Sequence, residues 1–142
     1  MNQDCIFCRI LEGTIPSSMV YEDDLCTAFL DIQPVNAGHV LIIPNKHVDS
    51  MVDLDDETTG RMLIIAKKIN QAIRKTNLRC EGINYFLADG EAAFQEVFHA
   101  HLHCFPRYNG DGFQLLFGED YKFISDRNWL NGIADEIKKH LT

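Results

Sequence analysis

The sequence lacks long apolar runs, a basic or apolar leader, and any excess of positive charge. Its longest apolar stretches, such as residues 40–43, are far shorter than the roughly 20 residues that span a membrane. The first residues are polar, without a signal-peptide pattern, so we expect a cytoplasmic protein. The net charge of −8 argues against non-specific nucleic-acid binding, which needs a positive field. We therefore expect neither a nucleic-acid partner nor a membrane partner.

Internal repeats, low-complexity tracts and linkers rich in proline or serine are also missing. The apolar content of 46% lies in the globular range. We therefore expect a single domain over residues 1–142, with its core at about 5–108 and a C-terminal extension at 109–142. The chain has five cysteines, but in a protein expected to be cytoplasmic they do not predict a disulfide framework.

Hydrophobic periodicity predicts both helices and strands. A long helix is expected at residues 56–77, and a terminal helix with an apolar stripe, expected to be core packing, follows Asp126 as its N-cap. The remaining elements are a short helix at 5–11 and strands at 19–21, 25–30, 40–44, 83–87 and 98–105. This order predicts the α+β class, with an antiparallel five-stranded sheet and helices laid on it.

Three histidines alternate with small or apolar residues in residues 99–105. On a strand, the imidazoles of His99, His101 and His103 share one face. Burying three imidazoles together is costly unless each finds a partner, so ordinary core packing explains the row poorly. Histidine titrates near neutrality and acts both as a nucleophile and as a proton donor. The row therefore predicts a reactive site, which His39 can approach from the start of the neighbouring strand.

This segment resembles the signature of the histidine triad nucleotide-binding proteins, in which single apolar residues separate three histidines. The similarity covers about residues 5–108 and is greatest to bacterial members described as nucleoside phosphoramidases or diadenosine polyphosphate hydrolases. It implies the fold of that family, a purine nucleotide substrate, and a homodimer formed by joining two sheets and two helices. The other segments that look like family segments, in family order, are residues 5–8 with Ile10, 15–17, 21–23, 28–31 and 38–47.

The resemblance implies nucleotidyl transfer with His101 as the nucleophile at the α-phosphorus. A covalent nucleotidyl-histidine forms, and water then releases the nucleoside monophosphate. Neutral imidazole dominates at pH 7 and needs no deprotonation before it attacks. His103 is the candidate proton donor to the leaving group. The charge that develops on the phosphoryl oxygens needs donors, which His39, His99 and backbone amides can supply.

The resemblance also implies a nucleotide pocket. Asp31 matches the acidic residue that accepts the ribose hydroxyls. The apolar positions around the base, and the glutamine before the triad, are matched by Ile6, Phe7, Ile10, Phe29 and Gln95. The chain departs from the family pattern at Ala88, where a polar side chain is common, and at Glu96, where a small hydroxyl residue is common. These departures leave the leaving group open, and Glu96 is expected to repel a long polyphosphate.

Cys5 and Cys8 have a common zinc-ligand spacing, although two cysteines alone are a weak signal and also fit a pair of buried thiols. The resemblance implies that His47 and His99 complete a Cys₂His₂ site. All four positions would then be filled, which predicts a structural zinc. With zinc bound, His99 becomes a positioning residue; without zinc, it returns to the catalytic set.

Two alternatives to this covalent mechanism stay open. Three histidines on one face can bind a catalytic zinc with an open position that activates water, and His101 would then be a ligand. A non-enzymatic module that binds nucleotides or regulates a partner is the second alternative. A labelled His101 adduct separates the first alternative from covalent catalysis, and His101→Ala separates the second.

Overall fold

The computed structural model describes residues 4–122 and 125–141. The chain divides into two compact units, Met1–Gly112 and Phe113–Thr142. The expectation of a single domain with a C-terminal extension stays a prediction. Within the described residues, no helix is long and apolar enough to cross a membrane.

The first unit is built on an antiparallel five-stranded sheet, as the sequence predicted. The helices and strands of this unit are α1 (Ile6–Leu11), β1 (Met19–Glu22), β2 (Cys26–Leu30), β3 (Val40–Pro44), α2 (Asp56–Ile73), β4 (Gly82–Leu87) and β5 (Leu102–Arg107). The strand order is β1-β2-β3-β5-β4, so β3 lies at the centre and β4 at one edge.

Helix α2 begins where the side chain of Asp55 accepts a hydrogen bond from the backbone amide of Thr58. Its apolar stripe is buried, at Met62, Ile65, Ala66, Ile69 and Ile73. The helix ends at Ile73, four residues before the predicted end. The hydroxyl of Thr76 donates to the carbonyl of Ile73 at 2.7 Å, and this local bond closes the last turn.

The central strand β3 is buried along its whole length because both faces of the sheet are covered. Val40 and Ile42 face α2, in a cluster with Cys26, Ala28, Leu102 and Cys104. Leu41 and Ile43 face the other way and pack with Phe29 and with the buried residues of α1. Full burial of one such aliphatic side chain contributes about 1.5–3 kcal/mol. The second face, covered by the short helix α1, carries the histidines.

Strand β5 begins at Leu102, four residues later than predicted, so His99 and His101 precede the strand. Pairing of β3 with β5 covers only residues 40–42 and 102–104. Upstream of that ladder, the amide of Ala100 donates to the carbonyl of Val48 at 2.7 Å. The chain therefore leaves the sheet and contacts the loop after β3, and the prediction of three histidines on one regular strand is wrong.

The second unit contains α3 (Arg127–His140). The side chain of Asp126 accepts hydrogen bonds from the amides of Asn128 and Trp129, which confirms the predicted N-cap. The apolar stripe of α3 is exposed in the single chain, with Trp129 at 59% and Ile137 at 58%. The stripe is therefore not buried within the second unit itself, and the expectation that it packs as core stays a prediction.

Candidate functional site

His101 is held as a neutral imidazole with a defined proton position. Its Nδ1 lies 2.7 Å from the carbonyl oxygen of His99. A carbonyl can only accept, so Nδ1 carries the proton and Nε2 carries the lone pair. Burial lowers the pKa of His101, because desolvation disfavours the charged ring. A neutral ring with an Nε2 lone pair is the form of histidine that can attack an electrophile.

His103 receives its proton position from a chain of two hydrogen bonds. The amide of Val35 donates to Nδ1 of His39 at 3.1 Å, so His39 carries its proton on Nε2. That Nε2 lies 2.9 Å from Nδ1 of His103 and donates to it. His103 therefore carries its own proton on Nε2. Burial, with smaller contributions from His101 and His39, lowers the pKa of His103 to about 4.

Asp31 lies beside this histidine pair, just after β2. Its Oδ2 is 3.6 Å from Nδ1 of His39, while its Oδ1 accepts from the amide of Gln33 at 2.8 Å. Because the Val35 amide already occupies the lone pair of His39 Nδ1, no proton bridges the carboxylate and the ring. Burial lowers the pKa of His39 despite the nearby carboxylate, so the contact is not an ion pair at neutral pH.

A second group of side chains fits a metal ion. The ligand atoms of the four predicted residues, Cys5, Cys8, His47 and His99, all lie within 4.8 Å of one another. Nδ1 of His99 is 3.5 Å from the sulfur of Cys5, and Nδ1 of His47 is 3.3 Å from that of Cys8. Two sulfurs and two imidazole nitrogens form a donor set that zinc binds tetrahedrally. The residues present therefore fit the predicted zinc.

His99 belongs to both groups and is fully buried. Its Nε2 donates to the carbonyl of Pro44 at 2.9 Å, which leaves the lone pair on Nδ1, facing the cysteines. Burial lowers the pKa of His99 and so favours the neutral form that can bind a metal. At the same time, its carbonyl fixes the proton of His101.

The apolar residues predicted to surround a base differ in exposure. Phe7 is 6% exposed, and its ring lies edge-on to those of Phe29 and His101, at centroid distances of 5.5 and 5.2 Å. Ile6 is 44% exposed and Ile10 is half-buried. Phe7 therefore packs against both Phe29 and the histidines, while the accessible apolar surface belongs to Ile6 and Ile10 of α1.

Gln95 is buried, and its amide bonds to the backbone. Its Oε1 accepts from the amide of Gly90 at 2.7 Å. Its Nε2 donates to the carbonyls of Asp49 at 2.7 Å and Val97 at 3.2 Å. The structure thus shows Gln95 joining two loops, whereas its predicted contact with a nucleotide stays a prediction.

Sequence reasoning missed two residues that contact the predicted histidines. Phe86 pairs with His103 across β4 and β5, and the ring centroids are 5.8 Å apart. Asp49 lies 3.0 Å from Nε2 of His47. The spacing of two residues from His47 is a signal that could have indicated Asp49, since ligating histidines commonly donate to a nearby carboxylate. The pairing of Phe86 depends on strand register, which the sequence does not display.

Comparisons with known proteins show the family of this chain. The HIT domain family matches residues 12–110. A HIT family protein from Bacillus subtilis has a crystal structure with a TM-score of 0.87 and 40% identity, covering 99% of both chains. The structure of a histidine triad nucleotide-binding protein from Candida albicans has a TM-score of 0.84 and 31% sequence identity, covering 95% of both chains. The structure of a Zn-bound histidine triad family protein from Mycobacterium smegmatis has a TM-score of 0.74 and 35% identity, covering 96% of this chain and 97% of that one. This chain belongs to the HIT, or histidine triad, family.

Proposed function

We propose that this protein is a nucleotide hydrolase or nucleotidyl transferase that acts through a covalent nucleotidyl-His101 intermediate. Its substrates are nucleoside phosphoramidates or dinucleoside polyphosphates, cleaved at the α-phosphate. The observation that carries the proposal is the buried, neutral His101, whose Nδ1 proton is held by a carbonyl and whose lone pair is on Nε2. Membership of the HIT family supports the general class of reaction.

In the first step, Nε2 of His101 attacks the α-phosphorus, forming a P–N bond as the bond to the leaving amine or phosphate breaks. The leaving group takes a proton. His103, with its ring centroid 4.9 Å from that of His101, presents an Nε2–H to this region. An anionic phosphate raises the pKa of a nearby imidazole, so His103 takes up one proton from solvent when substrate binds and delivers it to the leaving group. Water then cleaves the P–N bond: its hydroxyl adds to phosphorus, its other proton returns to solvent, and the monophosphate and His101 are released.

The purine nucleotide is proposed to bind across α1 and the end of β2. Asp31 accepts the ribose hydroxyls, since a carboxylate can accept two donors. Ile6 and Ile10 supply accessible apolar surface to the base. The buried rings of Phe7 and Phe29 contact each other and complete the proposed apolar lining. The Candida albicans relative is a nucleotide-binding protein, which supports this assignment.

Zinc is proposed to bind at Cys5, Cys8, His47 and His99, as a structural ion. With four protein ligands it would cross-link α1 to the segment that carries the triad. The Zn-bound relative from Mycobacterium smegmatis supports this. A catalytic zinc held by the histidine row is less well supported, because Nδ1 of His103 accepts from His39 and its Nε2 carries the proton, which leaves that ring no free lone pair for a metal.

The chain is also proposed to form a homodimer through β4 and α2. Strand β4 is an edge strand, so its outer backbone groups can pair with a second copy. Apolar side chains are exposed on both elements, at Leu63, Ile64, Tyr85 and Phe86. Light scattering on the purified protein should therefore give twice the mass of the 142-residue chain.

The decisive experiment is rapid quench with an α-³²P-labelled adenosine phosphoramidate and, in parallel, a labelled dinucleoside polyphosphate. The wild type should accumulate an acid-labile adduct on His101 that is absent from His101→Ala. Relative turnover of the two substrates identifies the preferred leaving group. If the wild type shows no turnover while nucleotide affinity survives in His101→Ala, the non-enzymatic binding module replaces this proposal.

A further inference from the structure

We propose that Asp49 is a positioning residue for the metal ligand His47. This inference rests on the zinc site proposed above and concerns a side chain that is not itself one of the four ligands. Asp49 would determine which nitrogen of His47 is available to the metal, and would strengthen that nitrogen as a donor.

The geometry at His47 fixes its proton. Nε2 lies 3.0 Å from Oδ1 of Asp49, and Nδ1 lies 3.3 Å from the sulfur of Cys8. A carboxylate accepts, so the proton of the neutral ring belongs on Nε2 and the lone pair on Nδ1. The same division exists at His99, where the carbonyl of Pro44 is the acceptor. Both imidazoles therefore direct Nδ1 into the cluster.

The two acceptors differ in charge and in exposure. Pro44 offers a neutral, buried carbonyl, whereas Asp49 offers a carboxylate whose side chain is 62% exposed. A negative acceptor polarises the imidazole and increases the basicity of its opposite nitrogen. Nδ1 of His47 would thus be a stronger metal ligand than expected of a ring that is 23% exposed. The affinity of this nitrogen for a metal would depend more on Asp49 than that of His99 depends on the carbonyl of Pro44.

The backbone holds Asp49 in place although its carboxylate reaches solvent. The carbonyl of Asp49 accepts from Nε2 of the buried Gln95 at 2.7 Å. The preceding carbonyl, of Val48, accepts from the amide of Ala100 at 2.7 Å. These two bonds tie the loop that carries His47 to the segment that carries His99. The carboxylate is therefore presented to His47 from a fixed backbone.

Zinc affinity tests this role directly, by competition between the full-length protein and a chromogenic chelator of known affinity. Asp49→Ala removes the acceptor and should weaken zinc binding by about 10- to 100-fold. Asp49→Asn keeps an acceptor oxygen without the charge, so its zinc affinity should lie between those of Asp49→Ala and the wild type. Asp53→Ala is the control, because it also removes an exposed carboxylate and changes the net charge by the same amount. Its zinc affinity should stay within about twofold of the wild type, since a distant exposed charge is screened by salt.

A cobalt titration and thermal unfolding of the metal-free proteins separate positioning from folding. Cobalt bound to Asp49→Ala should show a weaker visible band than in the wild type, while the metal-free variants should unfold at the same temperature. Equal zinc affinity in Asp49→Ala and the wild type overturns the role of Asp49 and leaves the zinc site intact. A metal-free Asp49→Ala that is already destabilised overturns it in favour of a folding role. A wild type that binds no zinc removes both proposals.

Discussion

The metal end of the site, around His47 and His99, and its catalytic end, at His101, contain neutral imidazoles in opposite tautomers. At the metal end, His47 and His99 carry the proton on Nε2 and turn the lone pair of Nδ1 towards sulfur. Two residues along the chain, His101 carries the proton on Nδ1 and keeps the lone pair on Nε2. The difference shows that a neighbouring acceptor, and not the equal spacing of the residues, determines what each imidazole can do.

Removing the proposed nucleophile tests the catalytic end most strongly. His101→Ala should reduce kcat by about 10⁴-fold, or about 5.5 kcal/mol, because the proposed covalent intermediate forms on that ring. Steady-state turnover of an adenosine phosphoramidate measures this, and zinc content should not change. His140→Ala is the control, since that ring is exposed on α3 and should keep full activity. Retention of more than a tenth of the activity in His101→Ala would show that His101 is not the nucleophile.

Removing one sulfur tests the metal end. Cys8→Ser should abolish stabilisation by zinc, which amounts to about 4 kcal/mol when free zinc is 1,000 times its Kd. Urea unfolding with and without EDTA measures this: the chelator should destabilise the wild type and leave Cys8→Ser unchanged. Cys80→Ser alters a half-buried thiol outside the cluster and should respond to EDTA like the wild type. An EDTA response in Cys8→Ser would contradict the assignment of that sulfur as a ligand.

Replacing Gln95 tests the connection between the loop after β3, which carries His47, and the segment that leads to His99. Gln95→Ala removes three hydrogen bonds from a buried site and should lower the free energy of unfolding by about 1–3 kcal/mol, since backbone groups lose their partners. Urea denaturation of the metal-free protein measures this. Gln33→Ala, at an exposed side chain, is the matched control. A normal stability combined with weaker nucleotide binding would instead restore Gln95 as a ligand of the nucleotide.

Acid tests the catalytic end with a smaller effect. The pKa of His103 is about 4 in the folded protein, whereas an unfolded histidine titrates near 6.5. Between pH 6.5 and about 4, His103 is therefore protonated in the unfolded chain but neutral in the folded one. The free energy of unfolding decreases as the pH is lowered through this range. The slope from this residue is up to about 1.4 kcal/mol per pH unit. Urea midpoints at pH 7, 6 and 5 should fall less steeply in His103→Gln, and identical slopes would disprove the pKa assignment.

Much of the fold follows from local patterns. The apolar residues of α2 recur with the helical period of 3.6 residues, which predicts a helix with one buried face. The apolar run of β3 is continuous, which predicts a strand that is buried on both faces. The start of β5 could not be predicted, since the bond from Ala100 to the distant Val48 competes with strand pairing. Periodicity reports which residues are buried and carries no information about such long-range bonds.

The proximity of the four residues of the metal cluster was predictable, but the proton positions of the histidines were not. The four metal-site residues are together as the resemblance implied. The acceptors that define each imidazole are mostly main-chain atoms, such as the carbonyls of Pro44 and His99. Every residue type except proline offers the same backbone groups, so the sequence letters do not reveal them. Only the fold, by bringing distant segments together, decides which nitrogen keeps the lone pair.

His99 has its ring in one group and its carbonyl in the other, and this has a consequence for genetics. Substitutions in the two groups should show epistasis, because contacting residues rarely contribute additively. Once His101 is absent, loss of Cys8 should cost no further activity, although each single change is severe. A variant library scored by activity alone would therefore classify the proposed zinc ligands as catalytic. Scoring the same library for abundance as well would separate residues that build the nucleophile's environment from the nucleophile itself.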